Sequence, residues 1–126
     1  MKIRSYKDLD VYQLAFKSAM SIYRDTKKFP AEEKYSLVDQ IRRSSRSVCA
    51  NISEAFRTRN YEKNFVSKLT IAASEASETQ TWLDFSLACE YITKVQYDKY
   101  FEDYDHILAM LVNMIRNSSK WVIVTS

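Results

Sequence analysis

The stretch "VDQIRRSSRSVCANISEA", residues 38 to 55, carries two patterns at once. Val38, Ile41, Ser45, Val48, Ile52 and Ala55 recur at alternating intervals of three and four, the seam of a helix packed nearly antiparallel in a bundle. Arginines fill the gaps in that seam. With Arg42 at zero and about 100° per residue, Arg46 falls at about 40°, Arg57 at about 60° and Arg43 at about 100°, while the seam residues from Val38 to Ile52 lie between about 240° and about 320°. One helix therefore presents an apolar edge and an arginine face.

Outward from this stretch the same rhythm marks three more segments. The first runs from about residue 8 to 27, with Tyr12, Ala15, Phe16, Ala19, Ile22 and Tyr23 as its apolar positions. "KKFPAEEK" ends it, because Pro30 disfavours helix at Phe29. Glu32 and Glu33 suit the positive first turn of a new helix, which places the second helix at 31–58. The third, 61–93, carries Phe65, Leu69, Ala72, Ala76, Thr79, Leu83 and Ser86 beside a second stripe of Trp82, Phe85, Cys89 and Ile92. The fourth, 96–119, repeats the pattern with Phe101, Tyr104, Leu108, Leu111, Ile115 and Ser118. Short polar breaks between them predict an all-α, antiparallel up-down-up-down four-helix bundle, with 1–126 as a single domain ending in a short apolar tail.

A third helix of about 33 residues would be about 50 Å long, against about 28 Å for the first. Either it breaks, or another subunit covers its end. Trp82, Phe85 and Ile92, with Trp121 and Ile123 of the apolar tail "WVIVT", are the candidate interface of a homo-oligomer.

Composition narrows the chemistry. The 126 residues contain no glycine and a single proline, so helix stops with positive φ fall to Asn or Asp. Glycine-rich phosphate loops, dinucleotide fingerprints and nucleophile elbows are excluded outright. Residues 40–60 hold five arginines and one acid; of the 19 basic and 16 acidic residues of the chain, 14 and 15 remain elsewhere. The positive excess is thus local. Cys49 and Cys89 lack metal or redox spacing and read as buried free thiols. With no apolar leader and no run near the ~18 residues of a membrane span, the expectation is a cytoplasmic protein without membrane contact.

The arginine face has room between its guanidiniums at Ala50 and Ser53, which suits a phosphate backbone. The same small residues would admit a neighbouring subunit. Asp39 also stands one turn before Arg42 and Arg43, and Glu54 before Arg57, so weak surface pairs could occupy the face. Nucleic acid, a protein contact and plain solvated surface all remain open on the residues alone. Catalysis finds no support: His106 is the sole histidine, and Glu102 precedes it by four rather than the three residues of a bundle metal site. No catalytic residue, metal or cofactor is expected. Glu54, Glu75 and Glu78, with Gln40 and Asn51, are expected to form a structural polar network in which at least one glutamate meets an arginine, since a buried carboxylate needs such a partner. Tyr91, Tyr97, Tyr100 and Tyr104 crowd the last turn, where packing at the bundle end is the simpler role than base stacking.

"DLDVYQLA", "KFPAEEKYSLVDQIRRSSRSVCANISEAF" and "FVSKLTIAASEASETQTWL" together resemble the bacterial 23S rRNA intervening-sequence proteins, also known as the S23 ribosomal protein family. The resemblance covers residues 6 to 93. It implies a short antiparallel four-helix bundle that often assembles as a ring-like homopentamer. Some members are encoded within insertions in large-subunit ribosomal RNA genes, and a related bundle is an accessory protein of a retroelement reverse transcriptase. By resemblance, the family's QIRR segment falls on Gln40, Ile41, Arg42 and Arg43, and its N-I-x-E segment on Asn51, Ile52, Ser53 and Glu54. Where the family commonly has glycine next, this chain has Ala55, so the second helix is expected to continue to Arg57. The resulting expectation is a non-enzymatic oligomer offering Arg42, Arg43, Arg46 and Arg57 to structured RNA, ribosomal RNA first. The alternative is a protein-interaction scaffold or accessory subunit.

Overall fold

The computed structural model describes residues 3–122. Among them the chain forms α1 (Asp10–Thr26), α2 (Leu37–Arg57), α3 (Glu62–Ala88) and α4 (Lys94–Arg116), with no strand. Helix α1 packs on α2 and α4, and α3 packs on the same two. The result is the up-down-up-down four-helix bundle that the periodicity predicts.

The seams of α2 and α3 lie where their spacing puts them: every position named above for these two, from Val38 to Ala55 and from Phe65 to Ser86, is buried. Ser44 and Thr79 are buried with them, their hydroxyl oxygens 2.8 Å apart, which satisfies both groups across the α2–α3 contact. Helix α4 is rotated from expectation. Its core positions are Tyr100, Tyr104, Ile107, Leu111 and Met114, whereas Leu108 and Ile115 pack only partly against the core and Phe101 is half-buried beside Tyr97. The two stripes are about equally apolar, and the bond from the Tyr100 hydroxyl to Asp25 of α1 selects between them.

Helix ends differ from the pattern for identifiable reasons. Helix α1 starts at Asp10, because Ser5 and Asp8 close a capping box around a 3-10 turn at Tyr6–Asp8 and Leu9 is extended and buried. Helix α2 starts at Leu37 rather than residue 31: Ala31–Glu33 is a 3-10 turn, and Ser36 has non-helical backbone angles. Glu33 stands before α2 rather than in its first turn. Its carboxylate accepts from the Ser36 hydroxyl at 2.7 Å and from the Tyr91 hydroxyl at 2.8 Å, strapping this turn to the end of α3.

Helix α3 is broken rather than overlong. Glu90 takes the left-handed conformation at φ 62°; its N–H bonds to Leu87 O and that of Tyr91 to Ser86 O, both at 2.9 Å, which is a Schellman stop. A glutamate thus stands where the composition suggested Asn or Asp. Ile92 then folds back into the molecule's own core at 7% exposure and is not available to another subunit. Thr93 lies outside α3 and caps α4, exchanging side-chain and backbone bonds with Gln96.

Candidate nucleic-acid interface

Helix α2 runs unbroken to Arg57, so the arginine face is one continuous strip of about 22 Å from Arg42 to Arg57. Arg43, Arg46, Arg57 and Ala50 are exposed along it. The arginines nevertheless have different surroundings. Arg42 is half-buried; its Nε donates to Thr26 Oγ1 at 2.9 Å and an Nη to Tyr23 O at 3.2 Å. Tyr23 and Thr26 belong to the last turn of α1, where Arg42 joins the Thr26 hydroxyl on the Tyr23 carbonyl, so Arg42 acts as a side-chain cap on the C-terminus of the neighbouring helix. Its guanidinium also lies 4.7 Å from the centre of the Tyr23 ring.

Arg43 pairs with Asp39 at 3.2 Å across one exposed turn, a contact that contributes little against water and salt. Arg46 stands 5.7 Å from the Tyr23 ring and Arg57 5.2 Å from the Tyr6 ring. Among the described residues no carboxylate lies within ion-pair distance of Arg42, Arg46 or Arg57. Glu54, one turn from Arg57, is drawn to Lys68 of α3 instead, at 3.1 Å. Lys27 adds a further cation, its Nζ 4.7 Å from the centre of the Tyr23 ring.

The polar network takes another form than the sequence suggests. None of Glu54, Glu75 and Glu78 meets an arginine among the described residues. Glu75 is half-buried beside Glu78, and burial first and that neighbour second raise its carboxyl above the ordinary value. Asn51 bonds within its own helix, to Ser47 O at 2.9 Å. Gln40 borders an open groove of about 410 Å³ with Tyr35, Leu37, Trp82, Phe85 and Cys89. Three further polar ties between elements are made by tyrosine hydroxyls: Tyr100 to Asp25, Tyr91 to Glu33 and Tyr97 to Asp84. Tyr104 is fully buried, so the tyrosines around the last turn are packing residues.

Of the candidate interface residues, Phe85 is 53% exposed and Trp82 packs partly against the core beside it, their rings 5.9 Å apart. Trp121 stacks on Phe65 of its own core, centroids 6.2 Å apart. Ile123 lies outside the described residues. His106 is exposed, and among the described residues no cluster of acids, histidines or cysteines could hold a metal. No helix there is long and apolar enough to cross a membrane. Tyr6, Tyr23 and Lys27, which surround the arginines, were not singled out by spacing; in sequence Tyr23 reads as one more apolar position of α1.

The family model of the 23S rRNA-intervening sequence protein matches residues 7–113. A crystal structure of a protein with unknown function from the S23 ribosomal protein family of Bacteroides thetaiotaomicron VPI-5482 is similar at 34% identity, with a TM-score of 0.76, over 84% of this chain and 95% of that one. No curated protein matches. The bundle, the QIRR and N-I-x-E segments within α2, and a match spanning most of the chain lead to one conclusion: this protein belongs to the 23S rRNA-intervening sequence protein family.

Proposed function

We propose that this is a non-catalytic, self-associating protein of the bacterial cytoplasm that binds structured RNA, ribosomal RNA first, through the exposed face of α2. The observation that carries this reading is that Arg46 and Arg57 stand on one continuous helical face with no carboxylate partner among the described residues. Unpaired guanidiniums in a row complement a phosphate chain, to which Arg binds bidentately. Arg43 joins them by exchanging its weak bond to Asp39 for a phosphate. Arg42 contributes charge, but its donors chiefly hold α1. Free thiols at Cys49, which is buried, and at Cys89, which the end of α3 leaves exposed against expectation, accord with a reducing compartment.

Self-association is assigned to the patch of Phe85, Trp82 and Tyr35, on a different side of α2 from the arginines; Phe85 and Tyr35 are exposed there by 53% and 85%. The family resemblance favours a ring of five copies. The competing reading, a scaffold for a protein partner, would use the same exposed arginines on an acidic surface.

The test is a fluorescence-anisotropy titration of nuclease-treated protein against a structured ribosomal RNA fragment at several salt concentrations. Beside it runs a triple Arg43→Ala, Arg46→Ala, Arg57→Ala variant whose mass is checked by light scattering. Binding should weaken linearly in log–log salt plots, and the variant should lose about two to three from that slope. Equal affinity and equal slope in the two proteins would reject the strip as an RNA face.

A further inference from the structure

We infer that the α2 strip takes unpaired nucleotides rather than duplex, because the flank of α1 beside it supplies a row of aromatic rings on which bases stack. The inference rests on the RNA-binding reading above and specifies what part of an RNA the site accepts. Helices α1 and α2 run antiparallel, so Tyr23 lies by Arg42 and Arg46 while Tyr6 lies by Arg57. Between these two ends Tyr12 meets Tyr6 edge-on at 4.9 Å, and Phe16 stacks on Tyr12 at 5.9 Å with an interplanar angle of 28°.

At about 100° per residue, Tyr12, Phe16, Met20, Tyr23 and Lys27 share one flank of α1. No acid occurs at those positions, nor at Arg42, Arg46, Cys49, Ser53 and Arg57 on the facing flank of α2. Asp25 of α1 is engaged elsewhere, by Tyr100, and Asp39 and Glu54 are held by Arg43 and Lys68.

Phe16 is 50% exposed and Met20 38%. Helix α1 needs neither ring nor thioether there to fill its core, which is supplied by Val11, Ala15, Ala19 and Ile22. The surface therefore sets uncompensated cations beside the half-exposed ring of Phe16, which ends the Tyr6–Tyr12–Phe16 row, while Tyr23 and Tyr6 already carry guanidiniums over their rings. That is the composition by which single strands are held: phosphates on guanidiniums, bases on aromatics, with little sequence preference. A duplex keeps its bases stacked inside and could use only the cations. A protein partner would need acids for the arginines and apolar groups for Phe16 at the same spacing, whereas each nucleotide brings an anion and a flat apolar face together.

The test compares three labelled probes matched in phosphate number: a short unstructured oligouridylate, a fully paired RNA duplex, and an abasic phosphodiester chain. Each is titrated against wild type, Phe16→Ala, Tyr12→Leu and Arg46→Ala. All variants are checked by circular dichroism and light scattering. The expected result is oligouridylate binding tighter than either other probe, at least about fivefold weaker binding with Phe16→Ala, and no change for the abasic chain in that variant. Arg46→Ala weakens all three probes. If duplex binds as well as single strand and Phe16→Ala is neutral while Arg46→Ala is weak, the stacking inference fails and the basic strip stands. Should no probe bind at low salt, both readings fail. If Phe16→Ala instead lowers the oligomer mass, this flank is a subunit contact and the inference is overturned.

Discussion

Arg42 and Arg46 sit one turn apart on α2 and read alike in sequence, yet the fold gives them different work. Arg42 holds two oxygens at the end of α1 and stacks on Tyr23; Arg46 touches only that ring, from solvent. Arg42→Ala should therefore lower stability by about 1–3 kcal/mol, the range for bonds from a charged donor, while Arg46→Ala stays within about 0.5 kcal/mol. Urea denaturation midpoints of the two variants make the comparison, and equal effects would remove the capping role. Arg42→Lys should not restore the loss, because a lysine has neither the planar fork nor the stacking face. That arginines line one face was legible from their spacing. Which of them is engaged was not, because the answer lies in the last turn of α1, sixteen to nineteen residues away in sequence.

The stop of α3 is the clearest test among the elements. Glu90 holds a left-handed backbone that disfavours any residue with a Cβ. Glu90→Gly should stabilise the protein by about 1 kcal/mol, and Glu90→Val should destabilise it, both read from thermal or urea unfolding. The tyrosine straps give a second test, in pH. Bonds from Tyr91 to Glu33 and from Tyr97 to Asp84 raise both phenols from 10.0 to about 12. A pKa raised in the folded state stabilises fully below the unfolded value and is lost as pH climbs through the folded one. Stability should therefore fall between pH 10 and about 12, and Tyr91→Phe with Tyr97→Phe should flatten that fall. Glu33 works with the opposite sign: its carboxyl is lowered, chiefly by Ser36 and then Tyr91, so its share fades as pH drops below the ordinary 4.5. The segments were legible from apolar spacing. Their ends were not, because Glu33 and Glu90 act through partners and backbone angles that no period records.

At the scale of the whole molecule, Phe85, Trp82 and Tyr35 leave an apolar patch where the bundle has run out of its own helices to cover it. Phe85→Glu should shift the light-scattering mass to the monomer while circular dichroism stays unchanged, since this ring is half in solvent already. A variant that keeps the mass of the wild type would reject this patch as the proposed subunit contact. RNA affinity offers a further check, because the proposed ring would multiply the α2 strips and avidity would fall when the copies separate. The monomeric variant should bind a long structured RNA more weakly than wild type, yet bind a short oligonucleotide equally.

The sequence by itself determined the all-α bundle, the buried seams of α2 and α3, the continuity of α2 through Ala55 to Arg57, and the family, because alternating threes and fours and the QIRR segment are properties of neighbours along one helix. Tertiary structure alone decided the rotation of α4, the left-handed stop at Glu90, the return of Ile92 to the core, and the division of the arginines between cap and open face. Each of these depends on a partner from another helix or on a single backbone angle. Spacing can state which side chains share a face, but only packing states what that face meets.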